Sequence, residues 1–211
     1  MSAIVNAVRI YDARMRILVI GAHGTIGREV VKALAGEHEI VGASRKGAEI
    51  AVDITEPASI RAMYDKVGKI DAVISAAGSG AWKPLEQLTN DDFALSLRYK
   101  LMGQVNLVRY GLEHVSDGGS FTTTSGILAR SPMVGGAAIS LVNCGLEGFT
   151  RAAALEAPRG IRVNVVSPPW VTETLIEMGS TDLSYGLPAA KVAQAYVRSV
   201  MGAETGQVIE P

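Results

Sequence analysis

Along almost the whole chain, apolar runs of strand length alternate with stretches whose apolar positions recur at helical period. The runs are RILVI (16–20), EIVGA (39–43), EIAVD (49–53), DAVISAA (71–77), GSFTTTS (119–125), IRVNVVS (161–167) and GQVIEP (206–211). Helical period falls on residues 25–36, 57–67, 90–115, 135–157 and 189–202. Strands apolar on both faces and separated by helices belong to repeated βαβ units, in which helices cover both sides of a parallel sheet. The pattern predicts an α/β fold with a doubly wound parallel sheet of seven strands. Gly36 and Gly202 stand where helix ends favour a left-handed residue. No repeat, low-complexity tract or linker interrupts the series, so residues 15–211 read as one domain. Residues 1–14 read as an N-terminal extension and a candidate for disorder, with Met15 an alternative start to Met1.

Composition narrows the partners. A chain of 211 residues suffices for one well-buried core. Its formal charge of −1 and lack of a Lys/Arg stripe argue against nucleic acid and anionic membranes, and no apolar run has the length of a membrane span. A small-molecule ligand remains. The single cysteine, Cys144, excludes an internal disulfide, and His23, His38 and His114 are too scattered for a zinc site. No metal is expected, and the expected compartment is the cytoplasm.

The first chemistry lies in GAHGTIG, at the turn from the first strand into a helix. Gly21, Gly24 and Gly27 there let the backbone turn sharply and approach a pyrophosphate, while the amides of the helix start around His23, Thr25 and Ile26 hold its charge. In such folds an acid at the end of the second strand selects NAD by binding the adenosine ribose hydroxyls. Here Ser44, Arg45 and Lys46 occupy that strand end, so a 2′-phosphate is welcome and NADP(H) is favoured over NAD(H). The alternative is a solvated turn. Asp53 and Ile54 in VDIT suit the adenine, and Ala76, Ala77 and Gly78 are small enough for the cofactor to lie close.

From Met15 onward the order of these motifs, with the TTTSG strand end and LEGFTRAAALEAPRGIRVNVVSPPWV, resembles the short-chain dehydrogenase/reductase family. The resemblance implies a three-layer Rossmann fold with strand order 3-2-1-4-5-6-7 and NAD(P)-linked oxidation or reduction of alcohols or carbonyls. It places Pro168 and Val171 beside the nicotinamide, with Pro169 standing where the family has glycine. It also exposes a gap in the catalytic set of Ser, Tyr-x-x-x-Lys and Asn. Ser125 matches, yet the tyrosine position holds Ile139 and the lysine position Asn143. Neither supplies the usual acid. The family's asparagine position holds Lys100, whose pKa would fall on desolvation, making it a candidate proton donor beside Ser125; the alternative is a lysine that reaches solvent.

Three functions fit this set: an NADP(H)-dependent oxidoreductase with an altered relay through Ser125 and either Lys100 or a bound water, acting on a small carbonyl or alcohol, a silent NADP(H)-binding sensor or scaffold, and an isomerase or lyase. Cys144 reads as a packed thiol. Trp82 and Trp170 flank the cleft, to stack on substrate or to cover apolar surface, and residues 173–188 form a short lid. Relatives pair through helices flanking the site, and the small residues Gly135, Gly136, Ala137, Ala138, Gly145 and Gly148 suit a homodimer or homotetramer.

Overall fold

The computed structural model describes residues 14–211, so all but the last residue of the expected N-terminal extension lies outside the described residues. Seven strands form one sheet: β1 (Arg16–Ile20), β2 (Glu39–Ser44), β3 (Ile50–Ala51), β4 (Ile70–Ser75), β5 (Val115–Thr124), β6 (Arg162–Val166) and β7 (Val208–Ile209). All pair in parallel, in the order β3-β2-β1-β4-β5-β6-β7. This is the Rossmann topology expected from the sequence. The helices are α1 (Thr25–Leu34), α2 (Pro57–Val67), α3 (Asn90–Ser96), α4 (Gly103–Gly111), α5 (Ala137–Glu156), α6 (Thr172–Glu177) and α7 (Ala189–Met201).

Alternation along β1 divides the core into two layers. Leu18 and Ile20 join Tyr64 of α2, Leu107 of α4 and Phe121 on one face of the sheet. Ile17 and Val19 join Val30 of α1 and Val192 and Tyr196 of α7 on the other. A strand buried on both faces needs apolar residues at every position, which is why RILVI carries no period-two polar pattern. The helix ends follow local chemistry: Pro57 opens α2, Gly68 closes it at φ +73° and donates its N–H to the Tyr64 carbonyl at 2.8 Å. Thr89 and Asp92 form a reciprocal capping box on α3.

Several expectations need correction. Neither Gly36 nor Gly202 is left-handed. After α1 the chain closes through His38 N–H to the Leu34 carbonyl at 3.0 Å, and Gly202 is extended at φ −80°, where a Cβ would press on the Arg198 carbonyl at 2.7 Å. Glycine is needed there for space, not for handedness. Strand β3 stops at Ala51 because the chain turns through Asp53, and β5 starts at Val115, its polar SDGG stretch included, with a register shift opposite Ile70 and Ala72. The short α6 had no periodic signal. Residues 90–111 of the expected 90–115 are helical without a break, but the winding widens to a π-helical turn at Leu97–Met102, between α3 and α4, and the helix ends at Gly111. No described helix is long and apolar enough to cross a membrane.

Candidate functional site

At the end of β1, Gly21 adopts φ +81° and donates its N–H to the Ala43 carbonyl at 2.8 Å. A Cβ at Gly21 would lie 2.9 Å from the Ala76 carbonyl oxygen, and one at Gly27 would overlap the Gly21 carbonyl. These two glycines let α1 begin directly against the strand ends. Gly24 caps α1 with no side-chain hydrogen bond, which leaves first-turn amides for an anion. His23 is exposed, Thr25 donates its hydroxyl to Glu177 at 3.4 Å, and the Ile26 side chain packs into the core beneath α1. Any role of His23 and Ile26 in the cradle is therefore carried by backbone or surface.

A cavity of about 170 Å³ opens beside this turn, lined by Gly21, Ser44, Arg45, Asp53, Ile54, Ala77, Gly78 and Tyr99 among others. Ser44 donates its hydroxyl to the Lys46 carbonyl at 2.6 Å, which shapes the loop that presents the exposed Arg45 and Lys46. The Arg45 guanidinium lies 6.0 Å from the centre of the Tyr99 ring. Asp53 is held below the usual carboxylate range by the Thr55 N–H and hydroxyl, at 2.9 and 2.8 Å, with Arg45 and Arg98 adding to the effect against partial burial. It stays ionised and able to accept from an amino group. Ala76 contributes backbone, its N–H donating to the Ile20 carbonyl at 2.9 Å.

A second cavity, of about 190 Å³, lies toward β5 and β6 and is lined by Trp82, Lys100, Ser125, Ile139, Asn143, Pro168, Trp170, Val171 and Thr174 among others. Lys100 rides on the π-helical turn. Its ammonium donates to the backbone carbonyl of Ser125 at 3.0 Å, and burial pushes it down to about 8. Lys100 thus lies beside Ser125 but does not meet its hydroxyl, which donates to Glu147 at 3.1 Å, while Glu147 also meets Arg130 at 3.6 Å. Asn143, 1% exposed, donates its amide to the Gly126 carbonyl at 3.2 Å and keeps its Oδ1 without a partner among the described residues. A buried acceptor left open on a cavity wall suits a ligand hydroxyl.

Two further residues, Gln104 and Tyr99, shape this arrangement; the sequence indicates only that Tyr99 and Lys100, adjacent on a helix, point in different directions. Gln104, fully buried, donates to the carbonyls of Lys100 at 3.2 Å and Thr124 at 2.9 Å and accepts from the Thr124 N–H at 2.8 Å, tying the π-helical turn to the end of β5. Tyr99 faces the first cavity while its neighbour Lys100 faces the second, as adjacent helical residues must diverge. Cys144 is exposed rather than packed, because it is turned away from the buried Asn143 by one position on α5. Among the small residues of that region, Gly135 and Gly136 pack on Trp82 and Gly145 on Leu101, whereas Gly148 has open space beside it.

A family model described as enoyl-(acyl carrier protein) reductase matches residues 6–209. The chain belongs to the short-chain dehydrogenase/reductase family. Within the family it is 31% identical over 149 residues to the hydroxynaphthalene reductase arp2 of Aspergillus fumigatus, covering 68% of this chain and 52% of that protein. It is 27% identical to the cis-4-hydroxycyclohexanecarboxylate dehydrogenase of Sinomonas cyclohexanicum, over 88% of this chain and 81% of that one. The chain spans about half the length of the hydroxynaphthalene reductases that it matches. The crystal structure of the protein lin1944 from Listeria innocua superposes with a TM-score of 0.90 at 43% identity, over 93% of this chain and 98% of the other. A small-chain dehydrogenase solved in complex with NADPH shares the fold with a TM-score of 0.83 at 24% identity, over 94% of this chain and 97% of that one.

Proposed function

We propose that the protein is an NADP(H)-dependent short-chain reductase of a small carbonyl compound, with Lys100 in place of the family's tyrosine as proton donor. The observation that carries this reading is an ammonium of lowered pKa on the wall of a cavity that it shares with Ser125, Asn143, Pro168 and Val171. Support for the dinucleotide comes from the uncapped start of α1, the clashes that a Cβ at Gly21 or Gly27 would cause, and the open acceptor of Asn143. Arg45, Lys46 and Ser44 at the end of β2 favour the phosphorylated form, since no carboxylate stands at that strand end to repel a 2′-phosphate. The names of two relatives, a hydroxynaphthalene reductase and a hydroxycyclohexanecarboxylate dehydrogenase, both describe ring compounds.

When bound, the reduced dinucleotide supplies hydride to the carbonyl carbon. Lys100 delivers a proton to the carbonyl oxygen as negative charge develops there, and water at the open side of the cavity restores it. The Ser125 carbonyl and Gln104 aim Lys100, so Ser125 acts as a positioning residue through its backbone. Asn143 Oδ1 would accept from a ribose hydroxyl, and Pro168 and Val171 would flank the ring. Reduction then falls as pH rises through about 8, where the ammonium is lost, and alcohol oxidation rises over the same range.

NADPH consumption across a panel of ketones tests the assignment, run beside calorimetry with NADPH and NADH. Turnover lost in both Lys100→Met and Lys100→Arg, with NADPH affinity kept, supports it, because a guanidinium holds charge but does not release a proton at neutral pH. The presence of Ile139 on the cavity wall favours the second reading, a silent cofactor-binding protein. Tight NADPH binding without consumption on any ketone would select it. A homodimer or homotetramer is the accompanying expectation for the assembly, read by light scattering.

A further inference from the structure

We infer that the second cavity takes an uncharged, ring-shaped ketone and discriminates against the same compound carrying a carboxylate or phosphate; this rests on the reductase reading above. Lys100 is the one ionisable side chain among the residues that line the cavity. Its ammonium is matched to the reacting oxygen and has the Ser125 carbonyl beside it. The cations on the adjoining segments are already paired. Lys83, next to Trp82, holds both Asp92 oxygens at 2.7 and 2.9 Å, and Arg130, two positions beyond Leu128, bridges Glu210 at 3.0 Å and Glu147 at 3.6 Å. With Lys100 engaged by the reacting oxygen, an anionic group elsewhere on the ring would have no counter-charge left in the cavity, and an unpaired charge taken out of water is expensive.

The walls carry the opposite preference. Trp82 and Trp170 meet edge to face, with ring centres 5.5 Å apart at 69°, and Ile127, Leu128, Ile139 and Pro169 complete an apolar surface. The turn at 133–136 packs on Trp82 and adds the exposed Met133 and Val134 beside it. Trp170 Nε1 has no partner among the described residues, so the polar capacity near the rings is a donor, which suits a carbonyl or ether oxygen.

The chain has two tryptophans, and both line this cavity, so intrinsic fluorescence reports its occupancy. The test is titration of the full chain, with and without NADP⁺, using acetophenone and para-acetylbenzoate, followed by NADPH consumption with each. Acetophenone should bind at least about tenfold more tightly than its carboxylate analogue, given the cost of an unpaired charge. Trp82→Ala should weaken acetophenone and Trp82→Phe restore it. Thr174→Arg, which places a new cation on the wall, should swing the preference toward para-acetylbenzoate. Equal or tighter binding of para-acetylbenzoate to the unaltered chain overturns the inference, as does acetophenone binding that Trp82→Ala leaves unchanged. Selective binding with no NADPH consumption keeps the cavity assignment and rejects the reductase.

Discussion

Removal of the Lys100 ammonium should make the protein more stable while abolishing its activity. Lowering this group from its ordinary 10.5 to about 8 means that the folded chain holds the charge against a desolvation penalty. At ~1.4 kcal/mol per tenfold change in proton affinity, that penalty reaches about 3 kcal/mol at neutral pH. Lys100→Met removes it but leaves the Ser125 carbonyl without its donor, which takes back about 1 kcal/mol. The net gain of about 2 kcal/mol corresponds to roughly 4–8 °C in Tm for a chain of this size. The sign with pH is a second check. Between about 8 and 10.5 the unfolded chain binds the proton and the folded chain does not, so the stability of the native protein rises with pH across that window. The advantage of Lys100→Met is therefore full below pH ~8 and gone above pH ~10.5. Thermal unfolding of both proteins from neutral to alkaline pH measures it. A variant no more stable at neutral pH, or an advantage independent of pH, refutes a desolvated ammonium at this site.

Three other substitutions separate the parts of the site. Arg45→Ala should weaken NADPH by about 10- to 100-fold while changing NADH within about twofold, the scale of one charge-assisted contact to a phosphate, as read by calorimetry. Glu177→Gln should tighten NADPH by about two- to fivefold at low salt and less at high salt, because Glu177 meets Thr25 at the start of α1, where the phosphates would lie. Ser125→Ala should lower stability by about 1–2 kcal/mol through loss of the bond to Glu147, yet keep turnover within a few-fold. Loss of activity by two orders of magnitude would instead place that hydroxyl in the reaction.

The scaffold was legible because burial on both sheet faces forces continuous apolar strands, and the glycine spacing follows from contacts that admit no Cβ. The grouping of Ser44, Arg45 and Asp53 around the first cavity was legible for a related reason: they lie at or just beyond strand ends, whose position the period of the sheet fixes. The reaction side was harder. Sequence order brought Lys100 and Ser125 together, but the direction of the hydroxyl depends on Glu147, a residue of the LEGFTR segment four positions along α5 from Asn143, whose place in that motif does not show that it reaches β5. Gln104 was hidden likewise, since a buried glutamine that mimics backbone pairing looks like any polar helical residue. The π-helical turn breaks the 3.6-residue period that would have revealed which cavity each side chain enters.

The two outermost strands, β3 and β7, are only two residues long. Each flank thus offers a passing polypeptide almost no free main-chain ladder to zip onto, a geometry that guards against fibrillar stacking. Strand-to-strand joining of copies at either rim of the sheet is therefore disfavoured.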